Sequence, residues 1–470
     1  MTSSDVKLLD RRPLAEVGHP VTDAEALIRE AKQRERRRRL GLLLAVVLVI
    51  GVIAALVGVV GGGDRNNLAT ESQPLGKGTP RVNASAFHGQ GNLAFVSLEA
   101  LFVLDGSTNK LTSVTDQDAA ASDPTFSPNR RWLAYSLGDS GAGIARADGG
   151  SPHTISFTDG HPRWLPNSEL LVGDVIYRIS ATGAPQKVGS APAGLIAWSS
   201  DGTEYAFVSR RITKGPNDSF HGVEYLQVAD SLTGARTVWR KTPISFNPTT
   251  GFNGNVVAEV VVLTHRQGLL FWVDPDNSDV ADGMRVYEVR SPEATPVDLG
   301  LTVGENVSVG SSGVLAIGAG GSRYAWMTKS VETCLLSTAR CSAVQMATDE
   351  LTLDPAWSPD GRTLAFIEAE PSTVSNFYQT TVEKWYGTHH LWLLHAGSTH
   401  PVEVPYTFGA STPVWSSDSK SLMYVSGDSL WLITKSRAKP VKIASPLFPP
   451  TAWPSCYGQI SWSGQFAWSK

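Results

Sequence analysis

Beyond about residue 80 the apolar residues fall in short runs separated by polar turns, and four stretches repeat one arrangement. They are Asp123–Tyr135 (DPTFSPNRRWLAY), Ala197–Phe207 (AWSSDGTEYAF), Asp354–Phe366 (DPAWSPDGRTLAF) and Thr412–Tyr424 (TPVWSSDSKSLMY). Each has an aromatic (Phe126, Trp198, Trp357, Trp415), a Ser-x-Asp-Gly-like turn and a second apolar run. The runs are too short for helices and are bounded by turn residues, so they predict β-hairpins. Two more strands follow the hairpins, as at Ser429–Ile433 with Pro440–Ile443 and at Leu391–Leu394 with Val402–Val404. The repeating unit is therefore a four-stranded antiparallel meander. One such sheet cannot bury both faces alone, and a repeat of this length implies stacking around an axis.

Weaker copies occur at Ala84–Thr115, from His161 to Tyr177, at Val256–Val289 and at Val307–Met327. The tail Ile460–Trp468 reads as half a unit that pairs with the first sheet and closes a ring. The expected fold is all-β, a seven- or eight-bladed β-propeller of four-stranded antiparallel blades, preceded by one N-terminal transmembrane α-helix. The Trp-Ser-Pro-Asp-Gly turn followed by Leu364-Ala365-Phe366 resembles the repeat of TolB-type β-propellers. That resemblance implies a propeller over residues 81–470 and a role as an envelope interaction module. It does not by itself assign an activity.

The N-terminal region breaks the pattern. Leu40–Val60 holds no charged or strongly polar residue, and 21 helical residues reach roughly 30 Å, the thickness of a bilayer core. Arg34 and Arg36–Arg39 precede this run, while only Asp64 and Arg65 carry charge just after it. The positive-inside rule then predicts an uncleaved signal anchor with a cytoplasmic N-terminus and an extracytoplasmic propeller. Thr22-Asp-Ala-Glu25 is a capping box opening a short helix within the basic tail. The expected organisation is a cytoplasmic tail (1–39), an anchor (40–60), a flexible linker (61–80) rich in Gly, Asn, Ser, Thr and Pro, and the propeller (81–470).

Charge adds one exclusion. The overall −4 divides into +3 over residues 1–39 and −7 over the rest, where 30 basic residues face 37 acidic ones. A propeller of that sign argues against nucleic acid as a partner. Three cysteines are present, and Cys334 and Cys341 lie across a predicted strand pair as a disulfide candidate in an oxidising compartment.

Candidate binding residues follow from blade geometry. The connection into the first strand of a blade and the loop between its second and third strands share one face. Asp123, His161, Asp354 and Thr412 each precede a proline at that strand entrance and line the expected mouth of the central channel, where they either cap the turn and accept backbone hydrogen bonds or form a polar ring that binds a ligand or peptide. Proline biases its predecessor toward extended geometry. Long second-to-third connections are expected at Arg210–Gly222, Asp274–Gly283 and Glu368–His390, all on the mouth face. The last carries Phe377, Tyr378, Trp385, Tyr386, His389 and His390, aromatics suited to a partner's apolar surface or a sugar face, or to packing on their own blade. Asp274, Asp276, Asp279 and Asp282 form a dense acidic segment, but no glutamate stands at the offset a calcium loop needs, so a solvated loop is expected.

No Gly-x-Ser-x-Gly elbow, His-Glu-x-x-His segment or phosphate-cradling glycine loop occurs. No metal, cofactor or catalytic residue is therefore expected. The expected role is a membrane-tethered module binding an envelope protein, peptide or glycan. The competing expectation is a glycan-directed hydrolase or lyase, which requires two carboxylates facing each other across the channel mouth.

Overall fold

The computed structural model describes residues 79–470 except 118, 156–160, 193–194, 200, 216–218, 232–233, 248–250, 254–255, 264–267, 275–283, 303–306, 312–313, 319–331, 336–339, 345–350, 371–383, 435–438, 448–461 and 463. No helix among the described residues is long and apolar enough to cross a membrane. The expected span Leu40–Val60 and the whole basic tail lie outside them.

The described strands form eight antiparallel sheets, six of four strands and two of five. Blades are numbered here along the chain, and strands A to D run outward from the axis. Eight buried clusters hold the sheets together, one for each junction between consecutive blades. Leu93, Phe95 and Phe102 of blade 1 meet Met423, Val425 and Leu432 of blade 8. The ring continues through Ala94 with Leu133, Trp132 with Leu170, Leu171 with Phe207, and Val208 with Val260. Trp272 with Leu315, Ala316 with Phe366, and Ile367 with Tyr424 complete it. Every sheet thus buries both faces against neighbours, which is how a four-stranded unit becomes stable. The ring contains eight blades, the higher of the two expected counts.

The repeat motif explains the hairpins locally. In blade 7 the buried Ser358 hydroxyl accepts the Thr363 N–H at 2.9 Å and donates to Asp360 at 2.6 Å. The Asp360 carboxylate in turn accepts the Arg362 N–H at 3.1 Å. Ser127 with Asn129, Ser199 with Asp201 and Ser416 with Asp418 repeat the network in blades 2, 4 and 8. The Ser199 hydroxyl and the amide and hydroxyl of Thr203 hold the Asp201 carboxyl down at about 2. Serine at the first position is therefore the hub of these four A–B turns, and Asp or Asn accepts its hydroxyl.

Strand A aromatics stitch the blades. The Trp164 indole N–H donates to Thr125 O at 2.9 Å, and the Trp415 indole N–H to Ala356 O at 2.9 Å, each reaching strand A of the preceding blade. Closure is double. Phe466–Ser469 pairs with Asn92–Ser97 as strand A of blade 1, and Arg81–Val82 pairs with Val441–Ser445 as a fifth strand of blade 8.

Several expectations are corrected. Ala84–Thr115 supplies only strands B to D of blade 1; Ala84–Phe87 is a helical turn capped by Asn83, and Phe87 is buried at the blade 8–1 junction. Trp468 holds the strand A aromatic position instead. Blade 5 spans Val256–Val262 to Val297–Thr302, and blade 6 spans Val307–Val309 to Arg340–Ala343, both longer than the degenerate copies suggested. Blade 6 therefore has its own long B–C connection, between Val314–Ile317 and Glu332–Leu335.

The expected loop Arg210–Gly222 is a β-ribbon. Strand B of blade 4 continues through Glu204–Lys214, C runs Phe220–Asp230, D runs Arg236–Asn247, and Gly251–Asn253 adds a fifth strand. Strand A pairs only as far as Phe207, whereas the B–C ladder continues to Lys214 opposite Phe220. Seven further residues at about 3.4 Å each carry the ribbon roughly 24 Å beyond strand A. Its buried anchor is Glu224, which accepts from Arg210 Nε at 2.9 Å and from the Val257 N–H of blade 5 at 2.8 Å. Arg240, 3.9 Å from Glu224, stacks over the Phe271 ring; burial pulls its pKa down while Glu224 opposes that shift.

Cys334 and Cys341 are direct register partners in strands C and D of blade 6. The acidic segment after Asp274 lies outside the described residues.

Candidate functional site

Asp123, Asp354 and Thr412 occupy equivalent places in strand A of blades 2, 7 and 8. All three have left-handed backbones, with φ of +52°, +49° and +48°. This corrects the extended geometry expected before proline. Each lies where the A–B register shifts, between Ser122 and Thr125, Leu353 and Ala356, and Ser411 and Val414. A bulge of this kind re-aims a side chain and breaks pairing locally. The freed amides bond to the preceding blade: the Asp123 N–H donates to Gly464 O at 2.7 Å, and the Thr412 N–H to the Asp354 carboxylate at 2.8 Å. These contacts compensate a conformation that is costly for a non-glycine residue, and most so for a β-branched one such as Thr412.

The four mouth candidates thus form two pairs. His161 Nδ1–H donates to Asp123 Oδ2 at 2.7 Å, and the Ser122 hydroxyl donates to the same oxygen at 2.9 Å. The Asp123 side chain is 34% exposed and that of His161 is 70% exposed. On the other side of the carboxylate lies Gly464, φ +76°, where a Cβ would come within 2.0 Å of Asp123 Oδ1. Only glycine permits that approach. Asp354 and Thr412 meet across blades 7 and 8 through the Thr412 backbone N–H, not through its side chain.

Asp123 and His161 border a cavity of about 570 Å³ formed by strand A of blades 2 and 3 together with Gly464. Phe126, Trp164, Arg163 and three prolines (Pro124, Pro128, Pro162) complete its wall. Arg163 donates to Ile196 O at 3.0 Å, which fixes its guanidinium toward blade 4. Among the described lining residues Asp123 is the single carboxylate. The side chains that make the cavity come from two blades, with the Gly464 backbone beside them, and only His161-Pro-Arg-Trp164 and Asp123-Pro-Thr-Phe126 signalled it in the sequence.

The aromatic insertion of blade 7 behaves differently. Trp385 is 6% exposed, packs with Leu351, Ile367 and Tyr424, and donates its indole N–H to Glu370 O at 2.9 Å. His389 is 1% exposed, with its ring 4.5 Å edge-on from Trp385 and 4.7 Å from Tyr386. Its Nδ1–H donates to Ala410 O at 3.2 Å, and burial pushes its pKa down to about 4. Trp385 and His389 therefore serve the blade core rather than a partner's surface, since no apolar ligand can reach a ring already enclosed. Tyr386 is half-buried against the same cluster. His390 faces outward and donates from Nδ1 to Glu403 at 2.9 Å. Phe377 and Tyr378 lie outside the described residues.

Sequence reasoning overlooked two aromatics. Tyr406 and Phe408 are 61% and 65% exposed in the connection from blade 7 to blade 8. Lys439 Nζ sits 4.6 Å over the Tyr406 ring, and His390 meets the Phe408 ring edge-on at 4.9 Å. They stand between Pro405 and Gly409 with no alternating pattern, so no periodicity marked them. Among the described residues no three of His, Cys, Asp and Glu gather where a metal would bind.

No known protein family's sequence model and no curated protein matches the chain. Similar solved structures include a putative TolB from Agrobacterium tumefaciens, at 12% identity and a TM-score of 0.32 over 83% of this chain and 97% of that one. An oligogalacturonate lyase in complex with manganese gives 10%, 0.27, 73% and 70%, and a nidogen/laminin complex gives 11%, 0.30, 66% and 91%. At these scores the fold assignment stands on the chain's own sheet order and junction clusters: residues 81–469 form a β-propeller.

Proposed function

We propose that this chain is a membrane-tethered binding propeller that takes a peptide or glycan segment of an envelope partner at the channel mouth. The observation that carries this reading is the composition of the 570 Å³ cavity: Phe126, Trp164 and three prolines around one carboxylate, which His161 and Ser122 already engage. An aromatic wall with one oriented polar pair suits recognition. A glycosidase would place two carboxyl groups roughly 5–9 Å apart across the pocket, and among the described residues the lining contains only Asp123. Tethering rests on Leu40–Val60 and its arginine flank.

A photo-crosslinking residue at position 161 of the full-length chain, expressed in its native envelope, tests the reading. His161 is exposed, and its replacement removes its bond to Asp123 but leaves the Ser122 hydroxyl on that carboxylate. A discrete adduct, lost when a bulky residue replaces Gly464, is the expected result. Adducts no different from those at exposed Val188 on blade 3 would remove the mouth as the binding site. Alkaline extraction checks the tether: the full-length chain should stay with membranes and a chain lacking residues 1–60 should not.

A further inference from the structure

A second cavity, of about 560 Å³, lies on the face opposite the mouth, where the A–B and C–D turns gather. Its charge differs from that of the rest of the propeller. Arg130 and Arg131 enter from the A–B turn of blade 2, Arg146 from the end of its strand C, and Asp148 is the single acid in the wall. Arg146 pairs with Asp148 at 3.0 Å. Arg130 donates to a neutral partner, the Ser417 hydroxyl of blade 8, at 3.1 Å. Among the described residues no carboxylate pairs with Arg130 or Arg131. Three guanidinium groups thus face one carboxylate in a region whose formal charge is −7.

The positions of these arginines are held by backbone. The Arg131 N–H donates to Asn129 Oδ1 at 3.0 Å, and Arg131 O accepts the Ala147 N–H at 2.9 Å. Arg130 sits in the left-handed turn position at φ +59°. The same networks that close the hairpin therefore fix two adjacent arginines in the cavity wall. Asn92 of blade 1 fastens the opposite wall by donating to Ala147 O at 3.0 Å. Trp132 and Ile179 give that wall apolar surface.

We propose that this cavity binds a phosphoryl group carried on a small polyol, with Arg130, Arg131 and Arg146 supplying the positive charge. A phosphate monoester carries about −1.5 to −2 at neutral pH, which matches the local excess of cations. Guanidinium forks match phosphate oxygens in pairs, which a lysine cannot do. The volume exceeds that of a bare phosphate and falls in the range of about 300–1,000 Å³ typical of small-ligand sites, so the carrier fits as well. Two sources present phosphoryl oxygens on a polyol, a free glycerol or sugar phosphate with the full monoester charge and one repeat of a phosphodiester-linked envelope polymer with a single charge. The site is independent of the channel mouth.

Titration calorimetry of the full-length protein with sn-glycerol 3-phosphate, short poly(glycerol phosphate) and unphosphorylated glycerol tests it. Saturable binding of at least one phosphorylated probe, none of glycerol, and weakening with added salt are expected. Arg131→Gln should weaken binding at least tenfold, and Arg131→Lys by less. Arg285→Gln, which removes an exposed arginine of blade 5, should leave it unchanged. Tighter binding of the polymer assigns the site to an envelope chain, and tighter binding of the monomer to a free metabolite. No saturable heat with either phosphorylated probe, or wild-type affinity in an Arg131→Gln protein with an unaltered melting curve, would overturn the proposal.

Discussion

Acid should weaken this propeller at one identifiable residue, His389. Its ring is enclosed by Trp385 and Tyr386, Nδ1–H is committed to Ala410 O, and Nε2 is buried with no hydrogen-bond partner among the described residues. A second proton would have to sit on that bare nitrogen. Burial is the largest cause of its low pKa; the Ala410 carbonyl opposes the shift, and neighbouring His390 adds to it. The folded value of about 4 lies below the ordinary 6.5, so the unfolded chain takes up the proton first. Stability supplied by neutral His389 is complete above pH 6.5 and is lost as pH falls toward 4. At about 1.36 kcal/mol per unit, the loss is about 2 kcal/mol by pH 5 and about 3 kcal/mol by pH 4.

The assay is urea denaturation of the wild type and His389→Phe from pH 7.5 to 4.5. The variant leaves the Ala410 carbonyl unpaired and should be about 1–3 kcal/mol less stable at pH 7.5. It cannot take up the proton, so the gap should shrink by about 2 kcal/mol on acidification and close or reverse. Comparing the two proteins cancels the carboxylates that also respond to acid. A gap constant within about 0.5 kcal/mol across that range would refute the reasoning.

Three further outcomes are expected. Ser358→Ala removes the hub of the blade 7 turn, leaves the Thr363 N–H without its acceptor, and should cost about 1–3 kcal/mol in thermal or urea unfolding; a change below 0.5 kcal/mol would show that the network is dispensable. Glu224→Ala removes the buried carboxylate that Arg210 and Arg240 face and frees the Val257 N–H. About 3–5 kcal/mol should be lost, with faster hydrogen exchange confined at first to the blade 4 ribbon. Cys334 and Cys341, register partners in adjacent strands, should resist alkylation until a reductant is added; immediate labelling of both in protein purified without reductant would exclude the bridge.

The parts legible in the sequence are those whose physics is local. A hairpin held by Ser358, Asp360 and Thr363 needs only six residues, so four copies stood out wherever serine and its acceptor were both kept. The sequences of blades 5 and 6 lack that serine and its acceptor, and their packing partners, such as Trp272 and Leu315, lie in different repeats, so no local signal marks their boundaries. The blade 4 ribbon was read as a loop because its polar strands, with Arg211, Thr213 and Lys241, face no core to impose alternation. Burial of Trp385 and His389 depends on Leu351, Ile367 and Ala410 from three strands of two blades. Both cavities are assembled across blades: Asp123 and His161 were marked by the prolines after them, whereas Arg130 and Arg131 looked like ordinary turn residues.

The junction between blades 8 and 1 has a consequence for how the molecule comes into being. Arg81 is matched with Ser445, and Asn92 with Ser469. Each ladder joins partners more than 350 positions apart, so neither forms until Ser445 or Ser469 has left the ribosome. Until then Leu93, Phe95 and Met423 have apolar faces with no cover. Contacts of such long sequence separation are assembled late and slowly, and uncovered apolar faces and strand edges invite association between nascent copies. Synthesis therefore has a vulnerable interval that ends only when this seam is sealed.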